Sequence, residues 1–370
     1  MPFKHAAVFL LFIVIILRIA WVCYEKPLYN WDTLPYMGVL LDVEDDDVNR
    51  IYQNTYRIAR EEIPANRYKS LVDTLAFKND LLKNPEKFFQ FTSFFRIKPF
   101  YTALSYSAYK AGVPLSKAPV IPSIISFVMI SLLLVWWFSQ FFSGWVAALL
   151  SLCVMVSPPL LEAARQATPD ALSTLITLIA FYLLLNHSPR GWLIFVLSIS
   201  IAVHVGNVVL AVVIIFFLIF FPSKSQDAKM PRAALLIPVV LWIAYAIWIM
   251  SFANIHNGFD LFYGGVSKKT NLLIVFKEAF IGLNTLQSSH LSIVLAISTV
   301  ILFYGKPFKL KSLTKHQYLF LIMLTYLAAR YFMFPDLSTR FYLPIYIMSI
   351  VLSLEAIYSL TRNSVSEKYL

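Results

Sequence analysis

Apolar residues gather into ten segments along the chain: 6–23, 120–140, 144–161, 171–187, 191–204, 207–222, 233–252, 290–304, 318–334 and 341–360. Each is about as long as a helix that crosses a bilayer, or somewhat shorter. The division of 191–222 rests on length. As one straight helix it would measure about 48 Å, against a hydrocarbon core of roughly 30 Å. His204-Val205-Gly206-Asn207 is its only polar, turn-capable interruption. The pattern therefore predicts two helices there, and an all-α, polytopic bundle of about ten spans over 1–370.

Between the first two segments lies a long polar stretch, 24–119. Val48, Ile51, Tyr52, Tyr56 and Ala59 recur at helical spacing, with Arg50, Arg57 and Arg60 elsewhere, which predicts an amphipathic helix over 47–63. A second one is expected over 88–111, with Phe94, Phe95, Phe100, Tyr101, Leu104 and Tyr109. Both are expected to lie on the outer membrane face. A further outside segment, 253–289, carries Gly264-Gly265, Lys268, Lys269 and an amphipathic piece around 276–283.

Loop charge sets the orientation. With the N-terminus inside, the cytoplasmic loops hold Arg190, then Lys224, Lys229 and Arg232, then Lys306, Lys309, Lys311 and Lys315. The tail, 361–370, adds Arg362 and Lys368. The short outer loops hold little beyond Arg165 and Arg340, as the positive-inside rule requires. Merging 191–222 into one span would reverse this pattern.

Composition agrees: 59% of the residues are hydrophobic and 14% charged, against about 25% in a soluble domain. The net charge of +11 reflects cytoplasmic loops and anionic lipid rather than nucleic acid. Cys23 and Cys153 show neither disulfide nor metal spacing. The apolar run after Lys4 continues through Arg18 to Trp21 without a small-residue cleavage site, so it reads as an uncleaved first span.

The candidate chemistry lies on the outer side: Asp32, Glu162, Arg165, Asp170, His204, Asp336 and Arg340. Arg18, Arg330 and Glu355 fall within spans. Charges near a membrane core are costly and face protein or water. Each has a plainer reading too. Asp32 and Asp170 stand where a helix N-cap would. Arg165 and Arg340 could anchor at the interface, and His204 could be a satisfied break residue. The run from Asp42 to Asp47 lacks calcium-loop spacing. Nucleotide-binding loops and soluble-hydrolase motifs are absent, which argues against a nucleotide-driven pump.

The order of parts resembles the GT-C superfamily of integral-membrane glycosyltransferases, which use polyprenyl-phosphate-linked sugars. The matching parts are Tyr29-Asn30-Trp31-Asp32 early in the long loop and the two helices that follow. Arg165-Gln166-Ala167-Thr168-Pro169-Asp170-Ala171-Leu172 leads into the fourth span, and Arg340-Phe341-Tyr342-Leu343-Pro344 opens the last. The resemblance implies that Asp32 is a general base for an inverting transfer. It implies that Arg340, Arg96 and Lys98 bind the donor phosphate. Asp170, Arg165, Glu162 and His204 would organise the site or the acceptor. No metal ligand set stands out, and the resemblance leaves a divalent cation open. The expected partners are the lipid-linked donor, a glycan or lipid acceptor and membrane lipids, with no nucleic acid. The expected location is a bacterial inner membrane with an extracytoplasmic site. The one N-x-[ST] match, Asn186-His187-Ser188, falls on the cytoplasmic side.

One departure is Asp32-Thr33, where protein mannosyltransferases carry Asp-Glu. Three rival readings remain: an O-antigen-type polymerase or ligase, whose long loop would come late; a transporter or flippase, for which paired broken helices are expected; and a purely structural membrane subunit, which would leave the outer-face charges without a task.

Overall fold

The computed structural model describes residues 2–73, 76–186, 188–220, 231–253, 286–304, 313–333 and 339–367. Among them the chain is all-helical and contains no strand beyond a single bridge between Leu28 and Gln166. The segment 253–289, expected on the outer side, Asp336 and the lysines of 221–230 and 305–312 lie outside the described residues, save Ala253 and the backbone of 286–289.

Helix α1 (Pro2–Glu25) takes up the first apolar run and stops before Lys26-Pro27, where the proline disfavours helical backbone in the residue before it. Prolines then start helices in their first turn, where a missing N–H costs nothing. They open α6 (Pro85–Arg96), α7 (Pro99–Lys110), α8 (Ile121–Phe138) and α10 (Pro158–Arg165). The remaining helices of the first half are α2 (Thr33–Asp42), α3 (Val48–Glu62), α4 (Ala65–Val72), α5 (Ala76–Lys83) and α9 (Gly144–Met155). The second half holds α11 (Asp170–Leu185), α12 (Arg190–Val203), α13 (Val208–Phe220), α14 (Leu236–Phe252), α15 (Leu286–Phe303), α16 (Lys315–Met333) and α17 (Leu343–Glu367).

Among the described residues four helices are long and apolar enough to cross a membrane: α1, and α8, α14 and α17 each with its leading turn. A fifth span is available if α9 and α10 count as one, although they meet at 66°. The chain is accordingly a membrane protein. The apolar run 144–161 is thus not one straight helix. Ser157-Pro158-Pro159 breaks it, with Ser157 extended at ψ 139°. Helices α11, α12 and α13, and the described apolar part of α15, are shorter.

The break at 204–207 is present. Helix α12 ends at Val203, His204 is extended, and a 3-10 turn leads into α13. Asn207 reaches Ser173 at the start of α11, whereas α12 begins just after α11 ends. Further along α13, the Phe217 carbonyl accepts from Tyr318 at the start of α16. Gly206 stands instead beside Arg330, near that helix's other end. The chain therefore approaches Asn207 along α12 and leaves it along α13.

Helices α2–α7 form a cap with its own core of Leu34, Met37, Leu40, Tyr56, Phe88 and Leu115. They pack on one another rather than lying as two separate surface helices. The stretch expected as one helix over 88–111 is two, because Pro99 ends α6 before Lys98. Asp47 caps α3 by accepting from the Asn49 and Arg50 amides at 2.9 and 3.2 Å. The larger core lies in the bundle. There, small polar residues let α15 and α17 approach: Ser298 donates to the Ser349 carbonyl at 3.1 Å, and Ser353 to Ser298 at 2.9 Å.

Candidate functional site

Asp32 directly precedes α2, in N-cap position, yet its carboxylate makes no capping bond. It turns away from its own helix. Oδ2 accepts from Asn30 Nδ2 at 3.0 Å and from Arg340 Nη1 at 3.2 Å, while Oδ1 accepts from no described residue. Asp32 is 7% exposed. Burial raises its carboxyl above the usual range, and the Arg340 and Lys98 charges only partly offset this. A buried carboxylate of raised basicity, held by one oxygen with the other available, is suited to accept a proton.

Lys98 sits in the gap between α6 and α7. Its Nζ donates to the Tyr36 hydroxyl at 2.8 Å and lies over the rings of Tyr36 and Phe95, at 5.2 and 4.9 Å. Burial lowers its ammonium to about 8, held up in part by Asp32 and Asp170. Tyr36, Phe95 and Tyr101 pack edge-on around this point.

On the bundle side, a cleft of ≈ 240 Å³, counting its open mouth, has Asp170, Ser173, His204, Asn207, Arg330 and Arg340 among its lining residues. Five helix termini meet here, since α11, α13 and α17 begin and α12 and α16 end at it. Asn207 Nδ2 donates to the Ser173 and Ser200 hydroxyls at 2.7 and 2.8 Å, tying α11, α12 and α13 together. Asp170 is buried in the first turn of α11, where the helix dipole favours an anion. Pro169, not Asp170, occupies the N-cap.

The structure divides the residues singled out by the sequence. Asp32, Lys98, Asp170, His204 and Arg340 come together. Arg96 does not, because it pairs with Asp42 at 2.9 Å and covers the Phe89 ring. Arg165 secures the end of α1 by donating to the Lys26 carbonyl at 2.8 Å, and its own carbonyl accepts from Leu28. Glu162 is exposed on α10. The acidic run is spent locally: Asp45 on Arg50, Glu44 on Lys110, Asp42 on Arg96. Arg330, Asn207, Ser173 and Tyr36 join the site without having been assigned to it. The one signal for Arg330 was a lone arginine in an apolar helix.

No family model, curated protein or solved structure matches this chain. The site is therefore defined by its own geometry. Among the described residues, three cations, Lys98, Arg330 and Arg340, stand against two carboxylates, Asp32 and Asp170, and Lys98 lies within electrostatic reach of the other four. A cluster with one surplus positive charge in a half-dry cleft favours an anionic ligand.

Proposed function

We propose that the protein is a membrane glycosyltransferase that moves a sugar from a polyprenyl-phosphate donor to a glycan or lipid acceptor, with inversion. The observation that carries this reading is the cleft's charge. A sugar joined to a lipid through a phosphodiester bears one negative charge, and among the described residues the cluster holds one more positive than negative charge. Asp32 Oδ1 takes the acceptor hydroxyl proton as the acceptor oxygen attacks the anomeric carbon. The bond from that carbon to the phosphate oxygen breaks, and the electron pair leaves with the lipid phosphate. Lys98 faces the charge that develops on it. The cleft is far too small to enclose a lipid chain, which lies outside it.

In this reading all ten apolar segments serve the bundle, the shorter ones crossing a locally thinned bilayer. The cap and cleft face the extracytoplasmic side, with both termini in the cytoplasm of a bacterial cell. The test is incubation of the purified chain with a polyprenyl-phosphate sugar and a lipid or glycan acceptor. Sugar-dependent release of polyprenyl phosphate supports the reading. A donor left intact with every acceptor offered, by a chain that binds it, contradicts it.

A further inference from the structure

The two arginines at the cleft differ in their commitments. Arg340 is closed onto Asp32 at 3.2 Å. Among the described residues Arg330 has no carboxylate within ion-pair distance, it lies over the Phe341 and Tyr342 rings at 5.5 and 6.0 Å, and its one hydrogen bond goes to the Tyr326 hydroxyl, at 3.2 Å. A guanidinium carries five N–H donors, so most of its donor capacity is left over. An arginine far along an apolar helix is costly unless something anionic uses it.

His204 presents a second donor to the same cleft. Its Nδ1 accepts the Gly206 amide at 3.1 Å. A neutral imidazole that accepts at Nδ1 carries its proton on Nε2. Gly206 is what lets the two side chains converge. A Cβ there would stand 2.9 Å from His204 Cε1, 3.0 Å from Nδ1 and 3.5 Å from Arg330 Nη1. Asn207, next in sequence, is fixed by Ser173 and Ser200, so the turn is held rigidly under both groups.

We propose that Arg330 and His204 Nε2 form an oxyanion subsite that holds the phosphate of the lipid-linked ligand, and that Arg340 acts instead as the partner of Asp32. This rests on the reading that the cleft takes a phosphorylated lipid. It reassigns within that reading the residue that binds phosphate. The planar fork of Arg330 meets two phosphate oxygens, and the imidazole N–H meets a third.

The test is titration of the full chain, in nanodiscs of zwitterionic lipid, with farnesyl phosphate and separately with inorganic phosphate, followed by ³¹P NMR. Binding of farnesyl phosphate is expected to weaken about tenfold or more in Arg330→Gln and Gly206→Ala. In Arg96→Gln, which removes an arginine that pairs with Asp42 away from the cleft, it should change by less than about threefold. Gly206→Ala keeps every charge, so it decides the matter if Arg330→Gln fails to fold. Wild-type affinity for farnesyl phosphate in both Arg330→Gln and Gly206→Ala overturns the subsite and leaves the lipid-phosphate reading in place. Wild-type binding of inorganic phosphate alone assigns the subsite to free phosphate and overturns its role toward lipid. Binding of neither removes the subsite and the lipid-phosphate reading together.

Discussion

Arg340 and Asp32, from opposite ends of the chain, meet through a single carboxylate oxygen, with Nη1 3.2 Å from Oδ2. Asn30 holds the same oxygen at 3.0 Å. The pair joins the cap to the bundle and partly offsets the rise that burial gives the Asp32 carboxyl. Both side chains are mostly buried, so breaking the pair from one side is expensive, about 3–5 kcal/mol in comparable cases. Arg340→Ala is therefore expected to lower the melting temperature as well as transfer. Arg340→Lys should restore part of each. Thermal unfolding beside a transfer assay checks this, and an unchanged melting temperature in Arg340→Ala contradicts it.

The pH dependence follows from two groups outside the spans. Asp32 must be ionised to accept a proton, and burial raises its carboxyl above the ordinary value of about 3.9. Transfer should fall, as pH drops, at a higher pH than for an exposed aspartate. Lys98 titrates at about 8, so phosphate binding should weaken as pH rises through that value. The stability effect has the opposite sign. Between about 8 and the ordinary lysine value of about 10.4, the unfolded chain binds more protons than the folded one. The Lys98 contribution to stability therefore increases over that window while activity declines. An alkaline limb that survives in Lys98→Gln would show that another group carries it.

Tyr36 supplies the hydroxyl that accepts from Lys98 Nζ at 2.8 Å. Hydrogen bonds to charged groups contribute about 1.5–3 kcal/mol, so Tyr36→Phe should weaken donor binding roughly tenfold or more. It should also move the alkaline limb to lower pH, because the ammonium loses the one oxygen partner it has among the described residues. The pH profile of the variant is the measurement. A limb that stays in place would separate Tyr36 from Lys98.

Arg96 and Lys98 are two residues apart and should behave differently. Arg96→Gln breaks a partly exposed pair with Asp42, worth about 0–1 kcal/mol, and should leave transfer within about twofold of wild type. Lys98→Gln should abolish most of it. Equal losses in the two variants would place Arg96 back at the phosphate.

That division was not legible in the sequence. Arg96-Ile97-Lys98-Pro99 reads as one basic cluster, and only the helix break at Pro99 sends Arg96 to Asp42 and Lys98 to Tyr36. Asp32 and Arg340 were legible, because the order of apolar segments puts both on one side of the bundle. Arg330 was visible as a lone charge but not assignable. Its neighbours come through Gly206, whose role depends on a close approach that no sequence spacing encodes. Arg165 and Glu162 shared the right side and the right chemistry, yet the proline bend after α9 points α10 toward the end of α1 instead. Helix boundaries followed local rules of proline and capping. Contacts between residues far apart did not.

Gly38 lies where α2, the helix that starts at Asp32, crosses α6. An added Cβ would come within 3.0 Å of the Phe88 ring and 3.4 Å of Thr92 Cγ2. Overpacking of this kind costs about 1–3 kcal/mol. Gly38→Ala should lower thermal stability and disturb Asp32 without removing any functional group. Wild-type stability and activity together in Gly38→Ala would show that the cap is looser than its packing implies.

The central claim is that Asp32 takes the acceptor proton, and the direct measurement is sugar transfer by purified Asp32→Asn from a polyprenyl-phosphate donor. Asparagine keeps the size of the side chain but cannot accept the proton. The rate should fall by about 10²–10⁴, the usual contribution of a general base, with donor binding and helix content retained. Transfer at the wild-type rate would contradict the assignment.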